Sequence, residues 1–383
     1  MISELSRRGH EVQVIAAINP GVRGVVARAA LSAVGRTVYR GQNMKTVYHP
    51  LVLDGYAACA QRRLRGHEFD LLFTHSTLIA ARLRTSTPIV IWRGAHYAAL
   101  KPGYRGYQNL PRIVDTWANH QEVEAMSRAA MNIFAAKSAC NGAHAIYGIP
   151  HNKLKVIPYG ANLHPAPNSA AVVCNIAGKP TNGRLNFLFF GVDWYRKGGD
   201  RVITALNRLA ASGRQVHLDI VGISQAPTEM AAGFSIQVHG YLDKAIPEQF
   251  RLMNEILKRT HFLVHPARGE AFGVVLCEAF ACGIPVAVTP VDGLPTIVDD
   301  GINGVVIDEP FDADQFTTRM LRIFDTAGAY ETMAENALRK YERRLNWQTA
   351  IEEFLAIVEP LTTTNQLSKT GETETRLRVP SGK

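Results

Sequence analysis

The sequence predicts an α/β protein built around two parallel sheets, and three observations predict it. Short apolar runs alternate with longer amphipathic ones along most of the chain. The short runs are apolar nearly end to end, the pattern of strands covered on both faces. With 383 residues, 46% hydrophobic and 20% charged, the chain can build two domains, each with its own core.

The first half opens with ISELSRRGHEV, a helical stretch that runs straight into the strand candidate VQVIAA (12–17). LLFTH (71–75), PIVIW (88–92) and MNIFAA (131–136) read as further strands, with helices at 55–66 and 116–130 among them. In the second half the strands are NFLFFG (186–191), VHLDIVG (216–222), HFLVHP (261–266), PVAVTP (285–290) and GVVID (304–308). Amphipathic segments at 200–212, 246–259, 273–282 and 312–324 read as helices. Parallel strands need crossovers, so two sets of about five strands joined by helices make two Rossmann-like domains. The boundary falls near 163–184, in HPAPNSAAVVCNIAGKPTNG, where periodicity is lost. The expected division is 1–165 for an N-terminal domain, 166–345 for a C-terminal domain and 346–360 for a final helix that crosses back to the first. Residues 361–383 are polar with almost no bulky apolar side chains, and are read as a disordered tail. The N-terminal domain reads as starting inside its first helix, with its first strand and glycine-rich loop missing.

Charge is unevenly placed. Residues 1–170 hold 20 Lys and Arg against 8 Asp and Glu, while the remainder holds 22 against 25. A basic first half suits an anionic partner such as membrane phospholipid or a phosphorylated acceptor, or is simply a solvated surface. Nucleic acid ranks last, because no basic stripe carries interleaved aromatics. Five cysteines without a CxxC pair fit a reducing compartment and argue against structural zinc. The opening residues lack the apolar core of a signal peptide, and no run of 18 or more apolar residues occurs. The expected location is the cytoplasm, peripheral at the inner face of the membrane if the basic half meets lipid.

The chemistry concentrates in PARGEAFGVVLCEAFACG (266–283). In open parallel sheets ligands bind outside the carboxyl ends of the strands. Glu270 follows a strand, and the turn at Phe272, Gly273, Val274 and Val275 opens a helix whose free N–H groups and dipole suit a phosphate. Glu278 lies about one turn on. Carboxylates beside a phosphate cradle repel phosphate and make better acceptors for sugar hydroxyls. FFGVDWYRKGGD (189–200) also follows a strand, and it aims Arg196 and Lys197 at the same edge while Gly191 leaves room. Two cations there would stabilise a leaving diphosphate.

These stretches resemble the retaining glycosyltransferases of family 4, which have the two-domain GT-B fold with parallel sheets facing across a cleft. The resemblance rests on residues 266–308 with their Glu-x7-Glu spacing, on IPYGAN (157–162) and on NWQTA (346–350). It implies that Glu278 holds the nucleotide ribose and Glu270 the donor sugar, and that Arg196 and Lys197 bind the diphosphate. It implies further that Gly191 and the backbone of Phe272, Gly273, Val274 and Val275 meet the sugar and phosphates. The family's usual Arg directly after the glycine is absent, since Val192 follows Gly191. The Arg-Lys-Gly stretch is similar to that of lipopolysaccharide-core glucosyltransferases, so Arg196 stands in for the displaced Arg. The acceptor-side candidate is His96 in the loop after PIVIW, with Arg93 and His75 behind it.

The implied function is transfer of a hexose-type sugar from a nucleotide-diphosphate sugar to a glycan or lipid-linked acceptor, in cell-surface polysaccharide or lipopolysaccharide synthesis. No cofactor or metal is expected. Asp312 and Asp314, the one DxD, precede an amphipathic run and read as a helix cap. A degenerate, non-catalytic binding protein is the alternative, motivated by the missing first strand and loop.

Overall fold

The computed structural model describes residues 1–15, 18–225 and 231–375, with side chains through residue 362. The chain divides into two units, Met1–Ile157 with Ile351–Lys383, and Pro158–Ala350.

Unit 1 holds a four-stranded parallel sheet of β1 (Leu72–Thr74), β2 (Ile89–Arg93), β3 (Met131–Phe134) and β4 (Leu154–Val156), ordered as in the sequence. Every residue of β2 and β3 is buried, so these runs carry no polar alternation. The crossover helix Arg112–Arg128 buries Val114, Ala118, Ala125 and Met126, one stripe at helical spacing.

The expected strand over 12–17 does not form in its described part. Residues 12–15 are exposed or half-buried and join neither sheet. An apolar run that pairs with no strand among the described residues leaves its backbone groups to water. Ala16 and Ala17 lie outside the described residues.

Unit 2 is a six-stranded parallel sheet of β5 (Leu185–Phe190), β6 (Val216–Val221), β7 (Phe234–Gly240), β8 (Phe262–His265), β9 (Val286–Val288) and β10 (Gly304–Val306). Its spatial order is β10-β9-β8-β5-β6-β7. From β5 the chain winds outward one way through β6 and β7, and from β8 the other way through β9 and β10. The neighbours β5 and β8 therefore flank the switch point, and in open α/β sheets ligands bind outside the carboxyl ends there. Phe187, Phe189, Leu218, Ile220, Phe262 and Val264 form the core with Val202, Leu206 and Leu209 of the helix Gly199–Ala211. Truncating one of these phenylalanines to Ala would cost about 3–5 kcal/mol.

Several expectations are corrected. The sheets hold four and six strands: in the first, β4 takes the place of the expected strand over 12–17, and in the second, β7 adds to the five expected. β4 has three residues, and β7 is an edge strand whose burial alternates. The stretch 164–183, expected to hold the boundary and to lack periodicity, contains a helix. Asn168 caps a helix, Ser169–Ala177, by accepting the N–H of Ala171, and its Val172 and Ile176 enter the core of unit 2. The first division falls at Pro158, and the chain rejoins unit 1 from Ile351 within the helix Trp347–Thr375, as expected of a final helix that crosses back. That helix runs through 361–375, which were read as a disordered tail; residues 376–383 lie outside the described residues.

Candidate active site at the switch point of the second sheet

The loops after β5 and β8 are built to fit each other. Asp193 starts a turn by accepting the backbone N–H of Arg196 at 3.1 Å and its Nε at 3.1 Å. That turn delivers Arg196 and Lys197 to the edge. Gly198 follows with φ of +77°, and a Cβ there would lie 2.1 Å from the carbonyl oxygen of Pro266. Only glycine permits this approach of one loop to the other. The loops are joined further by Arg268 N–H to Arg196 O at 2.7 Å and by Arg196 Nη1 to Gly269 O at 2.9 Å. A Cβ on Gly191 would press on the Lys197 side chain, 3.1 Å from its Cγ.

Glu270 sits at the centre, 8% exposed. Its Oε2 accepts from Lys197 Nζ and from His265 Nε2 at 3.1 Å, with Arg196 Nη1 at 3.7 Å. Its backbone is pinned by Asp292, which accepts Glu270 N–H at 2.9 Å, and by Gly293, whose N–H donates to Glu270 O at 3.0 Å. Burial opposes its ionisation, yet the His265 hydrogen bond and the Lys197 charge hold the carboxyl below the usual range. Burial pushes the pKa of His265 down, so its neutral ring donates from Nε2. That leaves Nδ1 as a buried acceptor without a hydrogen-bond partner.

Gly273, at φ +102°, opens the helix Val274–Ala281, and Phe272 packs edge-on against Tyr159. A helix start leaves its first N–H groups without intrahelical partners, which suits an anion. Glu278, on this helix, is 4% exposed and accepts from Lys244 Nζ. Lys244 also donates to Asn162 O at 3.3 Å and lies 5.9 Å from the Phe190 ring centroid. The structure thus brings Arg196, Lys197, Gly191 and Glu270 together and gives Glu278 a cation. Lys244 and His265 were missed by the sequence reading. Lys244 follows the unread β7, and His265 is hidden as the last letter of an apolar strand.

The acceptor-side candidates belong to unit 1. His96 is 1% exposed and caps the helix Tyr97–Gly103, its Nδ1 accepting the N–H of Ala99 at 3.2 Å. Burial, with Arg93 nearby, pushes its pKa down to about 4, so the ring is neutral with its proton on Nε2. Arg93 ends β2 in a buried pair with Glu122. His75 Nδ1 donates to Trp92 O at 2.7 Å. An open cavity of about 700 Å³ is lined by Asp115, Asn119, His120, Ile146 and Tyr147, and Tyr147 stands edge-on to His96 at 5.2 Å. Asp312 caps the helix Ala313–Asp325 by accepting the N–H groups of Asp314 and Gln315.

Two α/β units with parallel sheets, the second carrying cations, carboxylates and glycine turns at its switch point, define the GT-B class. Residues 177–340 match the glycosyl transferases group 1 family, and residues 1–164 match glycosyltransferase family 4. The chain belongs to the glycosyltransferases of the GT-B type.

It is 27% identical over 305 residues to the D-inositol 3-phosphate glycosyltransferase of Xylanimonas cellulosilytica, taking in 77% of this chain and 67% of that one. It is 33% identical over 176 residues to the lipopolysaccharide glucosyltransferase WaaG of Escherichia coli, 45% of each chain. The sucrose-phosphate synthase structure from Thermosynechococcus elongatus superposes with a TM-score of 0.61 at 18% identity, covering 82% of this chain and 79% of that one. The WaaG structure gives 0.52 at 21%, covering 79% and 82%. The structural likenesses are of fold. Among the described residues no helix is long and apolar enough to cross a membrane.

Proposed function

We propose that the protein transfers a hexose-type sugar from a nucleotide-diphosphate sugar to a glycan or glycolipid acceptor, with retention at the anomeric carbon and without a metal ion. The observation that carries this reading is the meeting of Arg196, Lys197 and Glu270 at the switch point of unit 2. The C–O bond to the diphosphate breaks, and its electron pair stays on the phosphate oxygen. Arg196, Lys197 and the helix start at Gly273 take up that charge, the task a metal performs elsewhere. The acceptor oxygen attacks the same face and gives its proton to the departing phosphate oxygen. Glu270, oriented by His265, holds donor-sugar hydroxyls, while Glu278 accepts from the ribose.

The acceptor side is assigned to unit 1 through His96 and Arg93. The relatives' names point to lipopolysaccharide and to an inositol phosphate, and a phosphorylated acceptor suits the basic first half. Peripheral membrane contact would run through Arg62, Arg63 and Arg65. Loss of sedimentation with anionic vesicles on neutralising those three supports it, and no vesicle binding ends it.

The test is thermal stabilisation by a panel of UDP, GDP, ADP and their sugars, with Glu278→Ala as control. At 100 times its dissociation constant a ligand adds about 2.7 kcal/mol. A shift with one base, lost in the variant, supports the site and narrows the donor. No shift with any nucleotide overturns it.

A further inference from the structure

The helix Gly21–Thr37 of unit 1 is built inside out. Its buried positions are glycines: a Cβ on Gly24 would lie 2.5 Å from Pro20 Cβ, and one on Gly35 2.8 Å from Met44 Cβ. They seat the helix closely beside the helix Pro50–Leu64, with Ala27 and Leu31 half-buried on the same side. The valines stand in the open. Val22 is 82% exposed and Val26 62%, and Val25 and Val34 are exposed as well. A helix on a solvated surface turns its bulky apolar side chains inward and its polar ones out.

The outward face is continuous. Val22, Val26, Ala29 and Ala33 follow one another at helical spacing, and all four are exposed. By the same spacing Arg23 and Val34 border this face on one side, and Val25 and Arg36 on the other. Arg23, Arg28 and Arg36 are exposed and make no ion pair among the described residues. Residues 12–53 contain no Asp or Glu, so the neighbouring sequence offers these cations no counter-charge.

A partner for this face must cover valines and neutralise arginines along both borders. Water meets only the arginines. A protein would need an apolar ridge edged by carboxylates on both sides. An anionic bilayer meets both needs at once: the acyl boundary takes the valines, and long arginine side chains reach back to the phosphates. With 17 residues and three arginines, the helix is suited to lie in the surface rather than to cross it.

We infer that the face around Val22, Val26, Ala29 and Ala33 inserts into the surface of an anionic membrane, with Arg23 and Arg36 on lipid phosphates. The inference rests on the membrane contact in the proposed function and deepens it, since Arg62, Arg63 and Arg65 attract by charge alone.

The experiment mixes the full chain with phosphatidylglycerol vesicles holding a trace of phospholipid with a photoreactive acyl chain. After illumination, labelled peptides are read by mass spectrometry. Label should concentrate within residues 22–36 and be scarce at 62–65. In sedimentation, Arg23→Gln and Arg36→Gln should each weaken binding about fivefold, the effect of one charge at the surface. Val26→Asp should exceed that factor, because it also takes a carboxylate out of water. Val173→Asp, at an exposed position in unit 2, should not exceed it. Vesicle binding without label in 22–36 would overturn the inserted face and leave the charge contact standing. No vesicle binding would overturn both, while the nucleotide panel would still judge the transfer reading by itself. Equal losses from Val26→Asp and Val173→Asp would also overturn the inserted face. So would a lipid-free dimer that Val26→Asp breaks, since the face would then belong to a second copy. The labelling uses the wild-type chain and decides the matter even if a variant fails to fold.

Discussion

Replacing Lys197 by Met keeps most of the side chain's length and removes its charge from Glu270. The two side chains are 13% and 10% exposed, so the ion pair is shielded from water. Breaking a buried pair from one side costs about 3–5 kcal/mol. Glu270 keeps Arg196 at 3.7 Å and the His265 hydrogen bond at 3.1 Å. The expected loss is therefore at the low end, about 3 kcal/mol. In a domain the size of unit 2, each kcal/mol moves the melting temperature by about 2–4 °C, so calorimetry should show a fall of about 6–12 °C. The double variant Lys197→Met with Glu270→Gln removes both charges and should recover much of that loss. Nucleotide-diphosphate binding should stay weak in both, because the phosphate has lost a cation. A Lys197→Met protein within about 1 kcal/mol of wild type would refute the buried-pair account. Unchanged nucleotide binding would refute the role given to the cation.

Three further outcomes are expected. Gly198→Ala should destabilise by more than about 2 kcal/mol, since left-handed strain adds to a Cβ 2.1 Å from the Pro266 oxygen; Gly213→Ala, with φ +94° and open space around it, should show the strain alone when both are melted in denaturant. Lys244→Met leaves Glu278 buried without its cation, and should cost about 1–3 kcal/mol by denaturant titration; no loss would show that the pair contributes nothing. His96 and His261 have folded pKa values lowered to about 4, so the unfolded chain takes up protons first. Their contribution is fully present above the ordinary histidine value of about 6.5 and is lost as pH falls toward 4. His96→Asn keeps a capping side chain without the titration, so its melting temperature should fall less steeply over that range.

Much of this architecture was legible because a buried parallel strand announces itself locally. Phe187–Phe189 and Phe262–Val264 are apolar runs, and the polar residues after them land at the carboxyl edge whatever the strand order. Arg196, Lys197 and Glu270 could be named for that reason. The adjacency of β5 and β8 could not, because pairing between strands some 70 residues apart leaves no mark in either. β7 escaped notice because an edge strand alternates, and Lys244 went with it. The helix Ser169–Ala177 was hidden by the composition around it; only the four-residue spacing of Val172 and Ile176 betrays it.

Unit 2 is one uninterrupted stretch, whereas unit 1 draws on both ends of the described chain. Phe354 stacks on Trp92 at 5.6 Å and meets Phe73 edge-on, and Glu352 pairs with Arg8. During synthesis, β1 and β2 leave the ribosome some 250 residues before the helix that covers them. Over that interval the Trp92 face stays bare, and a chaperone has an apolar surface to hold. Unit 2 suffers no such delay. A chain that ended at Ala350 would hold all of unit 2 beside a unit 1 without its closing helix.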